Sequence, residues 1–128
     1  MTASRLQIYK CQVCGIVVEV LDGGAGEVVC CGRPMQRMAE RTGPEAARHE
    51  PRVEPAGGGA RVRVGRDEPH PMLPKHFIQW IEVVADGRTC RQFLRPGDPP
   101  EASFPLAGQK VEAREFCNVH GLWKETGP

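Results

Sequence analysis

The stretch Phe77-Ile78-Gln79-Trp80-Ile81-Glu82-Val83-Val84 is an apolar run of strand length, punctuated only by Gln79 and Glu82. Upstream, Arg61-Val62-Arg63-Val64 alternates with the period of two expected of a half-buried strand. Downstream, further strands are read at residues 88–94, 102–106 and 110–117, with a turn at Pro96-Gly97-Asp98-Pro99-Pro100. A spacing of about 10 to 12 residues between short strands and turns is the signal of an antiparallel sandwich. Fifteen Gly and twelve Pro, with few long segments of helical period, point the same way and away from a helix bundle. The predicted class is all-β.

A chain of 128 residues and 14.1 kDa has room for one ordinary domain, or for a small module joined to a somewhat larger one. Its net charge of +1 and pI near 7.6 give no global attraction to nucleic acid or to an anionic membrane, so neither is expected as a partner. No apolar stretch reaches 18 residues, and Met1-Thr2-Ala3-Ser4-Arg5-Leu6-Gln7-Ile8-Tyr9-Lys10 lacks a run of signal-peptide length, so a cytoplasmic protein is predicted. In a reducing compartment, clustered Cys and His are metal ligands more often than disulfide partners.

The first cluster reads Cys11-Gln12-Val13-Cys14-Gly15, then Val17-Val18-Glu19-Val20, a Gly-rich turn at Asp22-Gly23-Gly24-Ala25-Gly26, Val28-Val29 and Cys30-Cys31-Gly32. This predicts a hairpin with a cysteine pair at each end, in a module spanning residues 1–37. A two-residue gap lets a C-x-x-C knuckle aim both thiolates at one ion while backbone amides bond the sulfurs. The second half is a contiguous pair, whose side chains leave an extended backbone on opposite sides, so a distorted tetrahedron is expected. On spacing alone zinc and iron are both open. Four thiolates close such a site, which can staple a module or pass one electron.

Residues 38–56, with Pro44, Pro51 and Pro55, read as a linker and loop, with one helical turn at Pro44-Glu45-Ala46-Ala47-Arg48 ended by Pro51. Residues 57–128 form the predicted sandwich domain, to which the loop contributes His49. Every histidine of the chain lies in its C-terminal two-thirds: His49, His70, His76 and His120. His70 and His76 stand in the proline-stiffened Pro69-His70-Pro71-Met72-Leu73-Pro74-Lys75-His76, and His120 closes Cys117-Asn118-Val119-His120. Any one of these histidines would ordinarily be a surface or hydrogen-bonded residue. Together with Cys117 they make five donors of the kind zinc, iron and copper take, more than a closed tetrahedron needs and one short of an octahedron. An open position on a redox metal is a place for a small molecule to react. Cys90, within residues 88–94, is expected to be a buried structural thiol.

At this point the residues resemble a known family. Tyr9-Lys10-Cys11 through Cys14-Gly15, Val18-Glu19-Val20-Leu21, Gly23-Gly24 and Cys30-Cys31-Gly32 with Pro34-Met35 look like the desulforedoxin-type module of desulfoferrodoxins. His70-Pro71-Met72, Lys75-His76, Trp80-Ile81, Phe93-Leu94 with Pro96-Gly97-Asp98, and Ala113-Arg114-Glu115 through Cys117-Asn118-Val119-His120-Gly121-Leu122-Trp123 look like the superoxide reductase domain of that family. The resemblance implies an immunoglobulin-like sandwich and two irons. One would be held by Cys11, Cys14, Cys30 and Cys31, the other by equatorial His49, His70, His76 and His120 with Cys117 axial. It implies one-electron reduction of superoxide to hydrogen peroxide without dioxygen release, a homodimer, and an electron donor such as rubredoxin.

One departure stands out. The family carries Glu-Lys ahead of its first histidine, the glutamate capping ferric iron and the lysine attracting superoxide, whereas this chain has Ala47-Arg48. Arg48 keeps the charge but as a planar fork rather than a compact ammonium. Arg48 and Lys75 are the expected guides for the anion. The competing reading is a non-enzymatic two-iron electron carrier whose second site is closed.

Overall fold

The structure is a computed structural model and describes residues 3–42, 48–66, 68–107 and 110–125. The chain divides into two compact units, Met1–Ala39 and Glu40–Pro128, built from twelve strands, with no helix among the described residues. The all-β class predicted from strand patterning is the class observed. The helical turn expected at residues 44–48 lies, save for Arg48, outside the described residues.

In the first unit, β1 (Ile8–Lys10) is the centre of a three-stranded antiparallel sheet, flanked by β2 (Val17–Glu19) and β5 (Gln36–Met38). The strands β3 (Val29–Cys30) and β4 (Arg33–Pro34) form a separate ribbon. The predicted hairpin of residues 17–20 with 28–29 is therefore corrected. Each of its arms pairs elsewhere, β2 with β1 and β3 with β4, so that each cysteine pair lies in its own tight turn. The core is small, Tyr9, Cys11 and Met35 with Val18, Val20 and Val28 packed against it. A unit of this size buries too little apolar surface to be secure by packing alone.

The second unit is a seven-stranded sandwich. One sheet has the order β10-β7-β6 and the other β12-β11-β8-β9, all neighbours antiparallel. The strands are β6 (Pro51–Ala56), β7 (Gly59–Val64), β8 (Ile78–Ala85), β9 (Arg88–Phe93), β10 (Glu101–Phe104), β11 (Glu112–Cys117) and β12 (Gly121–Lys124). Val62 and Val64 of β7, Ala102 and Phe104 of β10, Ile81 and Val83 of β8 and Ala113 of β11 share one core between the sheets. The linker expected over residues 38–56 is in part a strand. β6 is an edge, the place where a sheet tolerates Pro51 and Pro55, and it turns into β7 through Gly57 and Gly58, whose φ values of 55° and 83° suit a two-residue hairpin turn.

Two details aim the strands at one end of the sandwich. Phe116 pairs with Trp80 but Cys117 pairs with Ile78, a bulge that skips Gln79. Without it a polar side chain would stand opposite Cys117; with it, Cys117 ends its strand inside apolar surroundings. Glu82, fully buried on β8, is held by Arg91 and by Arg114 of β11, whose Nε donates to it at 2.6 Å, so the central strands carry a paired charge rather than an orphan. Cys90, expected to be buried, is half-buried and packs against the core.

Candidate metal centres

In the first unit the N–H of Cys14 donates to Cys11 Sγ at 3.4 Å, and Gly15, with φ 84°, folds back so that its N–H reaches the Cys11 carbonyl at 3.0 Å. The contiguous pair is reconciled to one point by its backbone. Cys31 takes a left-handed φ of 54° and Gly32 one of 72°, so the chain is not extended there and Cys30 Sγ lies 3.9 Å from Cys31 Sγ. Cys14 Sγ is 3.6 Å from Cys30 Sγ, and all four sulfurs lie within 4.8 Å of one another. None of the six cysteines is in a disulfide.

The sulfurs resist sharing this space as thiolates. Amide donation from Cys14 and Val13 pulls Cys11 down to about 6, while Cys30, crowded by the sulfurs of Cys14 and Cys11, is pushed up to about 12, and Cys31 is raised for the same reason. One group of this kind ionises at the expense of the rest unless a cation neutralises them together. That is the behaviour of a metal site.

The second constellation draws on four segments. His49 lies in a turn ahead of β6, His70 and His76 in the loop from β7 to β8, Cys117 at the end of β11, and His120 in the turn into β12. The imidazoles form a closed ring. Their centroids are 4.9 Å apart for His49 and His70, 4.9 Å for His70 and His76, 4.9 Å for His76 and His120, and 4.6 Å for His120 and His49, each pair edge to face. Cys117 is wholly buried; its Sγ accepts the N–H of His120 at 3.4 Å and lies 3.8 Å from His120 Nδ1. Donor atoms of His49, His70, Cys117 and His120 all lie within 4.8 Å of one another.

The polar atoms test whether a cation fits. His49 Nδ1, His70 Nε2 and His76 Nε2 are buried and have no hydrogen-bond partner in the structure, an arrangement that costs free energy unless something satisfies it. His70 Nδ1 sits 2.6 Å from the Pro71 carbonyl, which can only accept, so the proton is on Nδ1 and the lone pair of Nε2 faces inward. Burial, and then the neighbouring imidazoles, lower His49 to about 4; burial lowers His70 to about 4 and also lowers His76. Neutral, converging, unpartnered nitrogens beside a buried thiol are a ligand set.

The sequence profile of the desulfoferrodoxin N-terminal domain matches residues 3–38, and that of desulfoferrodoxin matches residues 41–126. The chain belongs to the desulfoferrodoxin family. A desulfoferrodoxin of Syntrophotalea carbinolica is 52% identical over 98% of this chain and 99% of its own length, and one of Nitratidesulfovibrio vulgaris is 51% identical over 94% and 96%. Among solved structures, the superoxide reductase of Treponema pallidum superposes with a TM-score of 0.77 at 29% identity, covering 95% of this chain and 98% of that one. The four-cysteine cluster and the cluster of four histidines and one cysteine match the two iron centres of a desulfoferrodoxin.

Against the family pattern, Ala47 lies outside the described residues. Arg48 is exposed and pairs with Glu68 at 3.0 Å, so its charge is partly committed. Lys75 is exposed and has no ion-pair partner among the described residues. Several residues at this desulfoferrodoxin site were not singled out from the sequence. Asn118 accepts from the Phe77 N–H at 2.9 Å and donates to the Lys75 carbonyl at 3.0 Å, bracketing His76 from both sides. Trp123 stacks on His49 at 4.6 Å and 11°, and Arg41 lies over the indole. Glu115, two residues before Cys117, is fully buried with both oxygens unpartnered, and burial raises its proton affinity well above the usual carboxylate range. The position of Asn118 inside Cys-x-x-His was a usable signal, since Asn bonds nearby backbone readily. Arg41 offered none, being 82 positions from its indole.

Proposed function

We infer that this chain is a superoxide reductase, which takes superoxide, one electron and two protons to hydrogen peroxide and releases no dioxygen. The observation that carries the reading is the closed ring of four imidazoles joined by a buried thiol, five converging donors where a closed structural site needs four. His49, His70, His76, His120 and Cys117 would hold one iron and Cys11, Cys14, Cys30 and Cys31 the other. Bound at the five-donor site, iron supplies the electron and an open coordination position.

The protein's own contribution follows from charge and geometry. Four neutral imidazoles and one thiolate would leave a divalent ion with a net charge of about +1, enough to attract a small anion. The amide of His120 fixes the Cys117 sulfur, which as a thiolate would push electron density onto an iron held at this site. Lys75 is the stronger candidate to steer superoxide, because Arg48 is engaged by Glu68. With Ala47 in place of the family glutamate, no carboxylate at that position would compete for the open site.

An electron donor such as rubredoxin and a homodimeric state belong to the same proposal. The exposed Cys14 and Cys31, with exposed Val13, Ile16 and Val29 beside them, support an electron-accepting face on the first unit. Six cysteines outside disulfides support a reducing, cytoplasmic setting. No helix of the described residues is long and apolar enough to cross a membrane. The test is anaerobic addition of superoxide to the fully reduced protein with two irons per chain. One hydrogen peroxide for each superoxide and no dioxygen is expected. Dioxygen evolution would mark a dismutase, and an unaccelerated reaction an electron carrier with a closed site.

A further inference from the structure

Behind the His49–His120 edge of the ring lies a layered arrangement that metal ligation by itself does not require. The guanidinium of Arg41 sits 4.5 Å from the centroid of the Trp123 ring, and that indole stacks at 4.6 Å and 11° on the His49 imidazole. Both residues also grip His120: Arg41 donates from its guanidinium to the His120 carbonyl at 2.9 Å, and Trp123 Nε1 donates to the same oxygen at 3.2 Å. Arg41 itself is tied into the sheet. Its N–H donates to the Leu122 carbonyl at 2.9 Å and its carbonyl accepts from the Lys124 N–H at 3.1 Å, as a parallel bridge beside β12. Trp123 is buried, so the stack cannot slide.

We propose that Arg41, acting through Trp123, is a positioning residue of the histidine site. It clamps His49 and His120 in their mutual geometry and places a fixed positive charge one aromatic ring behind a ligand imidazole. This rests on the assignment of iron to the five donors. Two separable consequences follow. The fork of the guanidinium holds the carbonyl of His120 while its plane covers the indole, a double task that an ammonium cannot perform. The charge itself disfavours the more positive ferric state relative to the ferrous state, which raises the reduction potential of this centre. A cation over an indole is attracted by the ring face, so the charge stays where the clamp needs it.

The two parts are told apart by Arg41→Met, which keeps apolar cover but loses fork and charge, and Arg41→Lys, which keeps only the charge. Arg41 is solvent-exposed, so both variants should fold. Three quantities are measured in the two-iron protein: the midpoint potential of each centre, the rate at which a ferrous chelator removes each iron, and retention of cobalt(II) loaded in place of iron at the histidine site. For Arg41→Met the potential of the histidine centre should fall and metal loss from it should quicken about tenfold, within the range found for groups that orient metal ligands, while the four-cysteine centre stays as in the wild type. For Arg41→Lys the potential should stay near the wild-type value while metal loss still quickens. Wild-type behaviour of Arg41→Met, or equal changes at both centres, overturns the proposal. A wild type with no one-electron couple at the histidine site would sink the superoxide reductase reading instead, and cobalt retention would still decide the clamp.

Discussion

In Cys11-Gln12-Val13-Cys14 the N–H of Cys14 meets Cys11 Sγ at 3.4 Å, and in Cys117-Asn118-Val119-His120 the N–H of His120 meets Cys117 Sγ at the same distance. Both turns bury their first residue and expose their fourth. The surroundings differ. Cys11 belongs to a core of three buried residues in a unit whose strands are two or three residues long, whereas Cys117 ends a six-residue strand inside a sandwich core fed by both sheets. The same ligand-bearing turn therefore serves two ends. In the first unit the metal supplies what packing lacks; in the second, packing holds five donors in place and leaves the metal for chemistry.

The sharpest way to break this contrast is to remove the thiol of the second turn. Cys117→Ser should lower the second-order rate of superoxide reduction by about a thousandfold or more, since a thiolate at this site would tune the electron density of the iron directly, while the spectrum of the four-cysteine centre persists. Stopped-flow kinetics with the absorption of both centres will show whether the losses are confined in this way. Cys31→Ser probes the other side. It should release the first iron and unfold the first unit alone, because metal binding to so small a unit is folding free energy; amide NMR should lose the dispersed signals of residues 3–38 and keep those of residues 50–125.

Asn118→Ala tests how the larger unit holds its ligands. It removes two hydrogen bonds around His76, costing about 1 to 3 kcal/mol, and should quicken iron loss from the histidine site about tenfold, read by chelator extraction. Acid sharpens the contrast further. Protons compete with metal for imidazole, and an ordinary histidine begins to win near 6.5, but His49 and His70 are lowered to about 4 by burial. As pH falls from 7 to 5, protons should therefore displace metal from His49 and His70 less than from unshifted imidazoles, so metal affinity should fall less steeply than for the same donor set with ordinary imidazoles, the remaining loss including protonation of the Cys117 sulfur, which binds metal only as a thiolate. Titration of cobalt(II) binding across this range measures it. The smallest effect belongs to steering: at low salt Lys75→Ala should slow the reaction several-fold and Arg48→Ala less, both differences shrinking as salt screens the anion.

The sandwich was legible because its long strands announce themselves: residues 77–84 and 110–117 were read within a residue or two of β8 and β11. β6 was not, since Pro51 and Pro55 look like a linker until the strand is known to lie at an edge. Pairing in the first unit was misread because strands of two or three residues carry no period, and metal geometry rather than side-chain alternation decides which segments meet. Cysteine spacing foretold the first cluster. The second could be gathered from the sequence only as an inventory of histidines and a family resemblance, because its ligands span 72 positions and their ring depends on the turns between strands. The layers of Arg41 and Trp123 depend on the same long-range closure, and Arg41 has no local signature.

The claim at the centre of this account is that superoxide chemistry resides wholly in the second unit. It is tested most directly by one single-turnover experiment, in which pre-reduced Cys31→Ser protein is mixed anaerobically with superoxide and compared with the wild type. The account predicts a rate constant within about twofold of wild type and one hydrogen peroxide per superoxide, since the five-donor site is untouched. A collapse of the rate with the histidine centre still iron-loaded would contradict it and assign the four-cysteine centre a part in the reaction itself.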